Sequence, residues 1–291
     1  MKFKIITVSI LLALTVNVYG QSRFTRTHNN IIVWGATGYN NLPNNVDNIS
    51  AIGGIGVSAG LGYEWHRNRF IFQIGGEFYR HNSVLRMDNF SEDFRMLYNE
   101  NESFTGNFNF ANTRDRIIMH YVNIPLMVGF RQNRFYFLAG GKLGFDLQQG
   151  QSQVSSTITA TGSFDCGFGP PMQNVPGRFG TWQVREDAHS LNFGMNAAAS
   201  VEFGFYLDDN VNGAVRHRLA LFADYGLLNL NTFQPKQELL LFVPYVSQRP
   251  TINNFVKSTA FSDRHLNSFY IGLRYTVLFR LRERCNCLWI F

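Results

Sequence analysis

Hydrophobic and polar residues alternate along much of this chain. The stretch SLNFGMNAAASVEFGFYLDD, residues 190–209, shows the pattern clearly. One parity is apolar and consists of Leu191, Phe193, Met195, Ala197, Ala199, Val201, Phe203, Phe205 and Leu207, whereas the other parity is small, polar or charged. Successive side chains of a strand point to opposite faces, so the pattern predicts one long strand with an apolar face and a small, polar face.

The same period of two recurs in further segments and predicts eight strands in total. Besides 190–209, they are 30–39, 54–66, 69–79, 120–131, 134–148, 217–230 and 268–279. The alternation is imperfect in 217–230, where Phe222 falls on the polar side and the phase is lost beyond Leu227.

The connections between these strands alternate in length. Tight turns are predicted at 67–69 and 132–133, and a short connection at 208–216. Long polar segments rich in Asn, Ser and Gly separate them, and we expect loops at 41–52, 82–116, 149–188 and 231–265. This rhythm is typical of an even-stranded outer-membrane barrel, which has short periplasmic turns and longer external loops.

Composition decides which face of the strands meets solvent. Only 16% of the 291 residues are charged, and the polar faces consist mainly of Gly, Ala, Ser and Asn with single charges. A soluble barrel would turn its polar face to water and needs more solvating side chains there. We therefore predict an all-β fold, an eight-stranded antiparallel transmembrane β-barrel of the outer membrane with long external loops. Alternation alone leaves the soluble barrel open, because it does not show which face is wet.

The amino terminus has the order of a secretory signal peptide. Lys2 and Lys4 precede an apolar run from Ile5 to Val16, and Gly20 ends the segment. We expect residues 1–20 to be the signal peptide and 21–291 a single barrel domain, with the barrel core at about 30–281 and a periplasmic-side tail at 282–291. Removal of two lysines leaves 24 cations against 20 anions, a charge of +4 that is no nucleic-acid footprint.

Several stretches also resemble a known family. They are VNIPLMVGFR at 122–131, FYFLAGGKLGF at 135–145 and YIGLRYTVLF at 270–279. They look like the outer-membrane β-barrel domain family of Bacteroidota that is often called PorT-like. The resemblance implies an eight-stranded outer-membrane barrel, and some members serve the type IX secretion machinery. The tail RLRERCNCLWIF, 280–291, departs from the family pattern, and its Cys285 and Cys287, like Cys166, have no assigned role.

Charged residues on the polar parity are expected to share the lumen. They are Glu64, Glu77, Arg131, Lys142, Asp146, Glu202, Asp224 and Arg274. Eight strands enclose an interior just wide enough for side chains to fill, and unpaired charges there are costly. We predict that Glu77, Glu202 and Asp224 pair with Lys142 and Arg274, and that Glu64 and Arg131 lie nearer the periplasmic end. The network is either a plug that closes the lumen or a gated ion path.

The remaining candidates for chemistry are weak. His120, His265 and the pair His189-Ser190 lie near strand ends, but no spacing specifies a catalytic triad, and no cofactor or metal motif is present. We expect a non-enzymatic barrel without a cofactor. Its expected partners are outer-membrane lipid and lipopolysaccharide, and also a protein partner at the external loops or the secretion machinery. The apolar run ELLLFVPY, 238–245, is either a partner-binding strand or a loop packed over the barrel mouth.

Overall fold

The structure is a computed structural model of the chain. It describes residues 27–46, 48–97, 103–164, 172–173, 180–191, 193–208, 213–230, 240–241, 251–259 and 265–281. The expected signal peptide, the tail at 282–291 and the three cysteines lie outside these residues, so the predictions for them are not tested.

Fourteen strands are present in the described residues. They are β1 (Thr27–Asn41), β2 (Ile49–Ala51), β3 (Gly54–Arg67), β4 (Phe70–Met87), β5 (Phe90–Leu97), β6 (Ser103–Gln132), β7 (Phe135–Phe164), β8 (Met172–Gln173), β9 (Gly180–Leu191), β10 (Met195–Tyr206), β11 (Val215–Gly226), β12 (Leu240–Leu241), β13 (Thr251–Ile252) and β14 (Phe269–Arg280). No helix in this described part of the chain is long and apolar enough to span a membrane.

Eight of these strands close into a ring. Hydrogen bonds join them in the order β1, β3, β4, β6, β7, β10, β11 and β14, and β14 pairs with β1 to complete the circle. Every neighbouring pair in the ring is antiparallel. The predicted fold class, an eight-stranded antiparallel barrel, is confirmed.

Two of the hairpin turns depend on asparagine. Asn68 connects β3 to β4 with φ 59°, and Asn133 connects β6 to β7 with φ 56°. This left-handed conformation is unfavourable for most side chains, but Asn tolerates it. The tight turns predicted at these places are therefore present.

The outward face of the ring is apolar. Large hydrophobic side chains point away from the lumen on every strand, as at Leu61 (67% exposed), Val128 (57%) and Leu221 (60%). Aromatic side chains flank them near both rims, with Trp65 and Phe205 toward the short turns. A closed barrel with an apolar exterior and aromatic rims is the β-architecture that spans membranes, because it leaves no backbone group unpaired in hydrocarbon. The chain is an outer-membrane barrel with its Phe-rich side toward lipid.

The outward face predicted for 190–209 is correct only from Met195 onward. Leu191 and Phe193 are fully buried inside, although they share parity with the exposed Met195 and Phe203. The reason is a break in the strand at Gly194, which has φ 65° and separates β9 from β10. Across this break the facing strand β7 advances five residues, from Phe145 to Gly150, while the chain from Leu191 to Met195 advances only four. A shift of one residue reverses the side to which the following side chains point.

The prediction of loops at 82–116 and 149–188 is largely wrong. β6 and β7 have 30 residues each, about three times the ~9–11 that cross a bilayer, and their upper halves continue as paired strands. Beside them, β5 pairs with β6 and β9 pairs with β7. Together with the upper end of β4, these strands form a sheet beyond the membrane, which we call the external platform.

The sequence analysis did not predict the external platform, because the apolar and polar faces of its strands are exchanged relative to those in the membrane. Inside the membrane Phe and Leu point outward, whereas in the platform apolar residues such as Phe108, Ile117 and Ile158 point inward and polar ones such as Asn109 and Arg116 point outward. At this level the outside of the sheet meets water instead of lipid, so the apolar side chains lie on the inward face and the polar ones on the outward face. A break in the β6–β7 register near Asn112 (φ 55°) interrupts the alternation further.

A segment between β11 and β14 fills the concave side of the platform. Its residues Ile252, Phe255 and Val256 are buried against the platform's inward face. Asp115 of β6 fixes it, because its Oδ2 accepts the backbone N–H of Phe255 at 2.9 Å and its Oδ1 accepts the hydroxyl of Ser152 at 2.6 Å. Of the run 238–245, only β12 is described, and it pairs with β13. We call residues 251–259 the cap.

A charge placed on the lipid-facing surface tests the orientation of the wall. Leu221→Arg puts a cation in the middle of β11 on the outward face, where burial in hydrocarbon costs about 2–4 kcal/mol. We expect Leu221→Arg to lower the free energy of unfolding from lipid vesicles by that amount, measured by urea titration with heat-modifiable gel migration. Asn109→Arg, on the outward face of the platform, is the matched control and should leave this free energy nearly unchanged. Equal effects of the two variants would contradict the orientation.

Candidate functional site in the barrel lumen

A buried cluster of five charged residues lies at the middle of the lumen. Lys142 Nζ donates to Asp224 Oδ2 at 2.7 Å and to Glu77 Oε1 at 3.0 Å. Arg274 donates to Glu202 Oε2 at 2.7 Å and to Glu77 Oε2 at 3.1 Å. Two cations are thus shared by three carboxylates, with Glu77 as the link between them. We call these five residues the central network.

Neutral donors complete the hydrogen bonding of the three carboxylates. Glu77 accepts from the Trp34 indole Nε1 at 2.9 Å, Glu202 accepts from the Tyr136 hydroxyl at 2.6 Å, and Asp224 accepts from the Ser200 hydroxyl at 2.6 Å. A buried carboxylate requires such donors because it has lost its hydration. The donors offset the excess of one negative charge in the network.

Small residues on the lumen face make room for this arrangement. The indole of Trp34 occupies space that side chains at Gly60 or Gly75 would fill, since a Cβ at either position would overlap its ring. A Cβ at Gly204 would likewise crowd the hydroxyl of Tyr136. The glycines and alanines on the polar parity therefore give the large donors access to the carboxylates.

A second buried pair lies nearer the periplasmic turns. Arg218 Nη1 donates to Glu64 Oε2 at 2.5 Å, and Nη2 donates to Gln73 Oε1 at 3.0 Å. His66 Nε2 lies 2.5 Å from the other oxygen of Glu64. Arg218 is absent from the residues that the sequence analysis placed in the lumen, although it shares parity with Ala220, Phe222 and Asp224. Extending that parity toward the turn would have found it.

Arg131, which the sequence analysis placed nearer the periplasmic end together with Glu64, does not pair with that carboxylate in the described residues. Its guanidinium lies 4.2 Å from the ring centre of Tyr206, and its Nε donates to the carbonyl of Asn133 at 2.7 Å. Its position two residues before the turn leaves it at the rim, whereas Arg218 reaches Glu64 from across the lumen. Asp146, also assigned to the lumen by parity, accepts the backbone N–H of Phe193 at 3.3 Å.

Packed side chains close the lumen above and below the central network. Above it, Tyr270 stacks on Tyr79 with ring centres 4.8 Å apart and meets the edge of Phe222 at 4.7 Å. Below it, Met127, Leu138 and Leu278 belong to a separate buried apolar cluster. A cavity of about 20 Å³ beside Lys142 and Asp224 is about the size of one water. The described lumen is therefore filled.

The two candidates for enzyme chemistry whose side chains are described, His120 and His265, lie in separate surroundings. His120 faces outward and stacks on Phe78 at 6.1 Å, whereas the backbone N–H of the exposed His265 donates to Asn45. The side chains of His189 and Ser190 lie outside the described residues. Among the residues that the structure describes, no group of His, Cys, Asp and Glu could hold a metal ion. The absence of enzyme activity stays a prediction.

The closed ring, the lipid-facing exterior and the filled lumen define the class: an outer-membrane β-barrel. No protein-family model and no curated protein matches the chain.

Several solved structures are weakly similar to this chain. Ail, the attachment invasion locus protein of Yersinia pestis, solved in complex with the heparin analogue sucrose octasulfate, is 12% identical at a TM-score of 0.28, covering 86% of this chain and 99% of that one. Neisserial surface protein A is 10% identical at 0.27, covering 85% and 96%. The Pseudomonas putida toluene transporter TodX is 7% identical at 0.16, covering 88% and 90%.

Removing one cation tests the central network. Lys142→Met leaves Glu77 and Asp224 buried without their shared partner, and breaking a buried pair in this way costs about 3–5 kcal/mol. We expect urea unfolding in detergent micelles to show that loss. Adding Asp224→Asn to Lys142→Met removes one of the stranded carboxylates and should recover part of it. If Lys142→Met alone leaves the stability unchanged, Lys142 does not compensate these carboxylates.

Proposed function

We propose that this chain is a non-enzymatic, non-conducting outer-membrane barrel that holds the external platform at the cell surface, where the platform contacts surface components. The observation that carries the proposal is the central network, because its buried and mutually paired charges fill the middle of the lumen. An ion crossing this level would have to displace Lys142 or Arg274 from their carboxylates.

The packing on both sides of the network supports the plug over the gated ion path. The aromatic stack of Tyr79, Tyr270 and Phe222 lies above the network, and the cap lies above that stack. An ion path needs a continuous column of water, and the cavity beside Lys142 holds about one. Opening such a path requires both layers to move together.

Conductance separates the plug from the gated ion path. We expect the purified protein to show no steady single-channel current in planar bilayers. Asp115→Asn, which loosens the cap while leaving the central network intact, should also remain closed. Lys142→Ala combined with Arg274→Ala empties the lumen at its centre but leaves the aromatic stack and the cap in place, so leakage should appear only when Tyr270→Ala and Asp115→Asn are added to it. A large steady current in the unaltered protein would overturn the plug.

An arginine band on the platform supports contact with anionic surface components. The exposed Arg80 and Arg86 lie on β4 beyond its last lipid-facing residue, Phe78, and the exposed Arg114 and Arg116 lie beside them on β6. Arg86 and Arg114 are direct cross-strand partners. Like charges directly opposite each other are destabilising, so an anion between them would relieve the repulsion.

Lipopolysaccharide fits the arginine band by position and charge. The band from Arg80 to Arg86 extends ~20 Å along β4, starting where the apolar face of this strand ends. Phosphate groups of lipopolysaccharide lie at the outer edge of the hydrocarbon, and arginine binds phosphate with two parallel hydrogen bonds. We therefore assign lipopolysaccharide phosphates as the partner of this band.

Lipopolysaccharide titration tests the band. We expect lipopolysaccharide to raise the melting temperature of the purified barrel, and Arg86→Gln combined with Arg114→Gln to weaken this effect several-fold through loss of phosphate contacts. Arg67→Gln combined with Arg69→Gln, at the opposite rim, removes the same charge and should leave the effect intact. An equal loss in both double variants would mean that net charge alone is responsible.

The accessory role in a type IX-like secretion apparatus stays a prediction. Secretion components that co-purify with the barrel in stoichiometric amounts after gentle extraction would favour it.

A further inference from the structure

The periplasmic end of the lumen carries more cations than the described carboxylates there can pair. Arg131 of β6, Arg216 of β11 and Arg280 of β14 all belong to the inward parity close to the short turns. Arg131 and Arg216 both lie over the ring of Tyr206, with guanidinium carbons 4.2 Å and 4.0 Å from its centre. One aromatic ring thus holds two cations at the same mouth.

Arg216 is the unusual member of this group. Only 4% of it is exposed, and its Nε and Nη2 are buried without a hydrogen-bond partner. Arg218 and Arg274 are buried as deeply, but both of their Nη atoms donate to side-chain oxygens. A buried charge without a partner is strongly unfavourable, and contact with an aromatic ring offsets only part of that cost.

The carboxylates near Arg216 are already engaged. Glu64 is held by Arg218 and His66. Asp208 accepts the backbone N–H of His217 at 2.6 Å. Of the described residues near the mouth, His28 and His66 stack with ring centres 4.4 Å apart and add no negative charge, and Arg280 adds a further cation.

The vacant atoms of Arg216 have the geometry of an oxyanion receptor. Nε–H and Nη2–H lie on the same edge of the guanidinium and point in parallel, which is the edge that binds two oxygens of one phosphate. We propose that the periplasmic mouth is a binding site for a phosphate group, held by this edge of Arg216 and by Arg131. Because Nε and Nη2 of Arg216 are buried, the phosphate reaches them only when a neighbouring side chain at the mouth moves aside.

Two sources could supply this phosphate group. A phospholipid of the periplasmic leaflet carries a phosphate diester close to the rim, and free inorganic phosphate reaches the mouth from the periplasm. Both present the same tetrahedral oxygens to Arg216. The site does not depend on the platform or on the closed lumen, so it stands apart from the proposed function.

Thermal unfolding in phosphate-free detergent tests the site. Inorganic phosphate, and separately mixed micelles containing phosphatidylglycerol, are titrated against the full mature barrel, with phosphatidylcholine micelles as the neutral comparison. We expect a saturable rise in melting temperature with at least one phosphate source, and an apparent affinity about tenfold weaker in Arg216→Gln and in Arg131→Gln. A response to phosphatidylglycerol alone identifies the lipid as the source, and a response to inorganic phosphate alone identifies the free ion. Arg185→Gln, on the exposed face of β9 and outside the arginine band, is the control for charge and should respond like the unaltered protein.

The stability without phosphate separates a ligand site from a structural arginine. If Arg216 serves an anion site, Arg216→Gln removes a buried charge whose Nε and Nη2 have no hydrogen-bond partner, and the variant should melt no lower than the unaltered protein in phosphate-free buffer. Arg216→Lys keeps the charge but loses the two-pronged edge, so it should fold and still bind weakly. The proposal is overturned if neither phosphate source shifts the unaltered protein, or if the shifts in Arg216→Gln and Arg216→Lys equal that of the unaltered protein.

Discussion

The structure depends on one constraint: hydrocarbon offers no hydrogen bonds, so every backbone group that crosses it must be paired within the protein. The chain meets this constraint by closing its sheet, with β14 paired to β1 from Asn41↔Phe269 to Asn30↔Arg280. Closure leaves no free strand edge at membrane level. It also fixes which side chains meet lipid and which share the narrow interior.

The narrow interior in turn explains the central network. An eight-stranded ring has space for side chains but little for water. Charges that enter it must compensate each other, and Glu77 accomplishes this by accepting from both Lys142 and Arg274. By the same reasoning Arg216 is unusual, because it is a buried cation whose Nε and Nη2 have no hydrogen-bond partner. The central network, whose charges pair with one another, is therefore a structural cluster, whereas the mouth around Arg216 is a candidate binding site.

In the external platform the surrounding solvent decides which face of a strand is apolar. β6 and β7 run without interruption from the membrane into water, yet their apolar side chains change from the outward to the inward face. Burial of Phe108 and Ile158 against the cap gives the platform a core of its own. The polar outward face, including the arginine band, is then free to meet the cell surface.

The sequence by itself determined the barrel and its lipid-facing side, and it assigned the residues of the central network to the inward parity, because the period of two is a local property of each strand. It did not reveal the platform, since the pattern there has opposite polarity and a register break at Asn112, nor the reversal at Gly194. Only the tertiary structure decided that Glu64 meets Arg218 and that Arg131 and Arg216 share the ring of Tyr206. Those contacts join strands far apart in the chain, and parity assigns a side chain to a face of the wall but not to a partner across the lumen.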